Sequence, residues 1–83
     1  MPQVTDEQVK TLITDLARML VGTDGVSVEQ FEEDGEVIFE LTVPDEAMGK
    51  VIGKQGRTAK AMRSVLDAVG EAQNKRYVLD IVE

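Results

Sequence analysis

The chain has 83 residues, 42% of them hydrophobic and 30% charged, with a net charge of −7 at neutral pH and neither cysteine nor histidine. That length accommodates one hydrophobic core, so residues 1–83 are expected to form a single domain. The missing residue types exclude disulfides, zinc-thiolate sites, a cysteine nucleophile and the commonest general base, so neither an enzyme nor a cofactor or metal site is expected.

Residues 1–5 lack a charged segment leading into an apolar stretch, and no run approaches the roughly 20 apolar residues of a membrane span. A cytoplasmic protein with no membrane partner is the expectation. The first predicted element is a helix. Thr5 and Gln8 have capping-box spacing, Asp6 and Glu7 suit the positive end of the helix dipole, and Gly22 supplies a stop. Val9, Leu12, Ile13, Leu16, Met19 and Leu20 recur at helical spacing and are expected to form one buried face.

A hairpin follows, with strands over 26–32 and 36–43 around Asp34-Gly35, a pair suited to the positive φ angles of a tight turn. Val37, Phe39, Leu41 and Val43 alternate with Glu36, Ile38, Glu40 and Thr42, as in a half-buried strand. Pro44 ends the strand, and Asp45 is placed to cap a short helix running to about Ile52. After Gly53-Lys54-Gln55-Gly56 comes a helix over 57–69 with three sectors. Ala59, Met62, Leu66 and Val69 are expected toward the core, and Arg57, Lys60 and Arg63 on a second side. Ala61, Val65 and Ala68 form a small-residue strip that suits either a symmetric dimer contact or plain helix packing. Gly70 is expected to stop this helix, and residues 77–82 form a last strand with Tyr77, Leu79 and Ile81 on one face.

The charge is unevenly spread. Residues 1–49 carry twelve acidic and two basic side chains, 50–63 carry none and five, and 64–83 carry four and two. Lys50, Lys54, Arg57, Lys60 and Arg63 therefore share a carboxylate-free window in an acidic chain. A helix that ends at glycine and restarts four residues later brings backbone N–H groups and a positive dipole end to one spot, which favours an anion. Gly53 and Gly56 would let a nucleic-acid backbone approach without a Cβ in the way. An isolated G-x-x-G also suits a plain helix corner, so the flanking residues decide.

Those residues, Gly49-Lys50-Val51-Ile52-Gly53-Lys54-Gln55-Gly56-Arg57-Thr58-Ala59-Lys60-Ala61-Met62-Arg63, resemble the V-I-G-x-x-G signature of KH domains, modules whose GXXG loop clamps four backbone nucleotides. The element order resembles the bacterial, type II arrangement. From end to end the chain is similar to the KhpA family of small bacterial proteins built from one KH domain. Ala59 stands where many KH domains carry a larger aliphatic residue, and it is compatible with the KhpA-like subgroup.

The resemblance implies an α+β fold in which three helices cover one face of a three-stranded sheet. It also implies a cleft for about four nucleotides of single-stranded RNA. Lys50, Gly53, Lys54, Gln55, Gly56, Arg57 and Lys60 are the candidate RNA-binding residues, with Val51 and Ile52 serving either the base groove or the core. Phe31, Phe39 and Tyr77 are the only aromatics and none adjoins the loop, so bases would lie against aliphatic side chains. Resemblance further implies a homodimer or a heterodimer with a second KH protein, KhpB, acting in post-transcriptional regulation or as an RNA chaperone.

Two other readings keep the same motif: a protein-interaction module with little RNA affinity, and a binder of single-stranded DNA. A nucleotide-binding P-loop does not fit. Three residues separate Gly49 from Gly53 where four are needed, and Lys54 is followed by Gln55 instead of Ser or Thr.

Overall fold

The computed structural model describes residues 4–22 and 25–83. Its elements are α1 (Asp6–Val21), β1 (Ser27–Glu33), β2 (Glu36–Thr42), a 3-10 turn (Asp45–Ala47), α2 (Met48–Ile52), α3 (Arg57–Ala72) and β3 (Tyr77–Val82). The order is the expected one, and the fold is α+β with a three-stranded sheet, the arrangement that the resemblance implies.

α1 begins as its sequence dictates. Thr5 Oγ1 accepts from Gln8 N–H at 3.1 Å while Gln8 Oε1 accepts from Thr5 N–H at 2.8 Å, and the Gly22 N–H closes the far end on Arg18 O. The buried stripe, however, is Val9, Ile13, Ala17 and Val21. Leu12, Met19 and Leu20, expected in the core, are 40%, 79% and 37% exposed, and Leu16 is only partly covered. The helix has apolar residues over too wide an arc for one contact. The i, i+4 row seats on the sheet and leaves a second apolar side facing out.

Asp34 and Gly35 take φ values of 52° and 79°, so the hairpin closes on a two-residue turn with Glu33 opposite Glu36. β2 is the central strand, antiparallel to β1 and parallel to β3. Its alternation is the expected one: Val37, Phe39 and Leu41 are buried, as is Val43 just beyond, while Glu36, Ile38, Glu40 and Thr42 are half-buried on the other face. Tyr77 and Leu79 of β3 join the buried side, with the Phe39 and Tyr77 rings 5.6 Å apart. Parallel pairing of β2 with β3 requires a crossover, and α2 and α3 supply it.

Two helix boundaries differ from expectation. Asp45 does not cap a helix: Pro44 holds the cap position without a side-chain bond, Asp45 opens the 3-10 turn, and α2 proper starts at Met48. Gly70 does not stop α3, which runs on to Ala72. Glycine is needed at 70 for close approach, since a Cβ there would lie 2.6 Å from Lys75 O. Gly70 O accepts from both Gln73 N–H and Lys75 N–H, and the chain turns away with Asn74 at φ 57°.

A polar cluster fastens the start of α1 to the start of β3. Asp6 Oδ1 accepts from Lys75 Nζ and from Tyr77 Oη, each at 2.8 Å, and Tyr77 Oη accepts from Gln73 Nε2 at 3.0 Å. The Lys75 bond, helped by Tyr77, holds the Asp6 carboxyl below the usual carboxylate range despite partial burial. Nothing in the spacing of these residues revealed this contact, because 71 positions separate Asp6 from Tyr77.

Candidate nucleic-acid interface

α2 and α3 meet at the loop 53–56, and the backbone there is unusual. Gly53 has φ 81° and ψ 170°, Gln55 φ 58° and ψ 28°, and Gly56 φ 73° and ψ 11°. Gly53 lies in a region that only glycine occupies readily. It also packs tightly, because a Cβ there would collide with the Thr58 side chain and approach Thr58 N to 2.9 Å. Gly56 is left-handed but open, with nothing within 4 Å of an added Cβ.

Gly53 N–H donates to Gly49 O at 2.9 Å and Gly56 N–H to Gly53 O at 3.0 Å, which fixes the turn. Among the described residues the N–H groups of Lys54 and Gln55 have no such acceptor. They stand at the head of a 16-residue helix. Backbone donors and the positive helix end therefore coincide, as an anion requires. Gln55 Oε1 accepts from the Arg57 guanidinium at 3.3 Å, tying the loop to the first turn of α3.

Lys50, Lys54, Gln55, Arg57 and Lys60 are exposed, and Gly53 and Gly56 are half-buried. Among the described residues none of the window's five cations forms an ion pair; the ion pairs are Lys75 with Asp6 and Arg76 with Glu36. The basic window is thus a set of free positive charges around the loop.

The Val51 and Ile52 pair divides. Val51 is fully buried and has no surface to offer a base, which removes it from the candidate groove. A five-residue helix needs such an anchor to stay docked, and α2 packs on both α1 and α3. Ile52 is 38% exposed beside Gly53 and remains available.

The two faces of α3 border different hollows. Toward β3, a groove of about 240 Å³ is lined by Arg63, Leu66, Asp67, Arg76, Tyr77, Val78 and Leu79. Toward α1, a groove of about 420 Å³ is bordered by Leu16, Met19, Leu20, Ala61, Met62 and Val65. Ala61, Val65 and Ala68 are all exposed, and the first two join the outward apolar side of α1 in that groove. The strip anticipated half of this surface; the α1 half was assigned to the core. A larger hollow, about 720 Å³, surrounds Gly35 and Asn74 and involves no residue of the basic window.

Arg63 differs from its neighbours. Its Nε donates to Leu79 O at 3.3 Å, bridging α3 to the outer edge of β3. Helical periodicity places Arg63 with Arg57 and Lys60 but gives no sign of that bond.

Comparison with known proteins adds one family match and three relatives. The family model described as "KhpA/KhpB, KH domain" matches residues 10–81. The chain is 46% identical over 76 residues to the RNA-binding protein KhpA of Halalkalibacterium halodurans, covering 90% of this chain and all of the relative. It is 45% identical over 75 residues to the RNA-binding protein KhpA of Clostridium acetobutylicum, again over that protein's full length, and 44% identical over 73 residues to that of Treponema pallidum, over 91% of its length.

Proposed function

The chain belongs to the KhpA/KhpB family of KH domains, and from that membership we propose that it binds single-stranded RNA by clamping about four backbone nucleotides on the loop 53–56. The observation that carries this is the conjunction at the loop: N–H groups of Lys54 and Gln55 without a backbone acceptor, the α3 helix end, and exposed Lys50, Lys54, Arg57 and Lys60 outside any ion pair. Phosphates rest against backbone and cations there, and Gly53 and Gly56 keep the approach free of side chains.

From the loop the strand runs along α3, with its bases in the groove between α3 and β3. Leu66, Val78 and Leu79 line that groove together with Tyr77 and the charged Arg63, Asp67 and Arg76. The protein works in the cytoplasm as a binding protein, in post-transcriptional regulation or as an RNA chaperone. A titration of short single-stranded RNA against the intact protein and its Lys54→Asp/Gln55→Asp variant tests the loop. Competition by a DNA oligomer of matched sequence tests the sugar.

Four nucleotides give modest affinity, so a second site raises avidity. The apolar groove between α1 and α3 supports pairing through that face, with a second copy or with a KhpB-like KH protein. Met19 at 79% exposure and Val65 at 48% are a cost to a lone domain that a partner would remove.

A further inference from the structure

β3 is an edge strand, and its free edge has a definite parity. Val37 N–H donates to Arg76 O at 2.9 Å and Val43 N–H to Val82 O at 3.1 Å, so the even-numbered residues of β3 turn their backbone toward β2. Tyr77, Leu79 and Ile81 turn theirs to the open edge. There Leu79 O accepts from Arg63 Nε at 3.3 Å.

That bond uses one of the five N–H donors of a guanidinium. Among the described residues the other four have no protein acceptor. Asp67, one turn further along α3, lines the same groove without forming an ion pair to Arg63. Arg63 is therefore tethered at its inner nitrogen, with its two terminal nitrogens unsatisfied at the border of a groove of about 240 Å³. Six residues along α3 from Arg57, it lies about 9 Å from the loop end of the helix, within reach of the first bases of a strand held at the loop.

We propose that Arg63 reads a nucleobase edge in the groove between α3 and β3, and that it makes the site favour guanine or cytosine over adenine or uracil at one position. This rests on the RNA-binding reading above. A tethered guanidinium is a rigid fork of donors, and a fork matches an edge with two neighbouring acceptors. Guanine offers O6 and N7, and cytosine offers N3 and O2. Adenine and uracil alternate donors with acceptors and offer no such pair. Lysine at 63 would keep the charge and could still reach Leu79 O, but it has no fork.

The test is fluorescence anisotropy with labelled octauridylate and three variants of it carrying a single central adenine, cytosine or guanine. The wild-type protein is expected to bind the cytosine or guanine oligomer about tenfold more tightly than the other two. Arg63→Lys, which keeps the charge, is expected to bind the four oligomers with equal affinity, so that the preference is lost. Arg63→Gln, which can still donate to Leu79 O, replaces it if the lysine variant does not fold. A preference that survives both substitutions, or a wild-type protein that binds all four oligomers equally, overturns the proposal. If Lys54→Asp/Gln55→Asp binds every oligomer undiminished, the loop reading fails and this inference falls with it. If only the base preference is unaffected by Arg63, the loop reading stands alone.

Discussion

Gly53 and Thr58 occupy interlocking space: a Cβ on Gly53 would fall within the Thr58 side chain, so the first turn of α3 dictates which residue the loop begins with. Gly53→Ala combines that overlap with a φ of 81°, and is expected to destabilise the fold by about 2 kcal/mol or more. Gly56→Ala meets open space and only the left-handed backbone, and is expected to cost about 1 kcal/mol. Urea unfolding midpoints of the two variants check the ordering.

The Asp6, Lys75 and Tyr77 cluster sets a pH dependence with two limbs. The folded-state pKa of Asp6 is depressed, so its contribution is fully present above the usual carboxylate range and is lost as pH falls through the lowered value. Those of Lys75 and Tyr77 are raised, for Lys75 by its bond to Asp6 and for Tyr77 by burial and then that same carboxylate. Their contributions are present below the ordinary lysine and tyrosine pKa values and fade as pH rises through the raised ones. Asp6→Asn is expected to cost about 1 kcal/mol at neutral pH and to flatten the acid limb. Chemical denaturation from acid to neutral pH measures both effects.

Much of the fold was legible locally. The β2 alternation, the Asp34-Gly35 turn and the Thr5 to Gln8 cap each depend on residues within a few positions of one another. What was misread depends on distant partners. Which third of α1 faces the sheet is set by packing, so Leu12, Met19 and Leu20 looked like core. Gly70 looked like a stop because the Lys75 carbonyl that forbids a side chain there is invisible before the chain turns back. At the site, the basic window and the glycines could be read directly. The burial of Val51 and the tether of Arg63 to Leu79 could not, since each is a contact between elements.

If three or four phosphates contact the loop region, the logarithm of the RNA association constant should fall with the logarithm of salt at a slope of roughly −2 to −3. Lys60→Gln is expected to reduce the magnitude of that slope by about 0.7 if its charge meets one phosphate. Titrations at several salt concentrations give both values.

Pairing through the α1 and α3 groove is expected to be abolished by Val65→Glu. Val65 is half-exposed, so the substitution spares the core while placing a charge in an apolar contact. Sedimentation velocity across a concentration series should show a dimer for the wild type and a monomer for the variant, with weaker binding to RNA long enough to span two copies.

The most direct measurement is RNA crosslinking to the Lys54→Asp/Gln55→Asp variant beside the wild type, with circular dichroism to establish that both are folded. Both side chains are exposed, and the substitutions leave the glycines and the helix ends in place. The expected result is a folded variant whose crosslinking drops to background, because two carboxylates now face the phosphate path. A folded variant that crosslinks as strongly as the wild type would contradict the assignment of the loop as the RNA clamp.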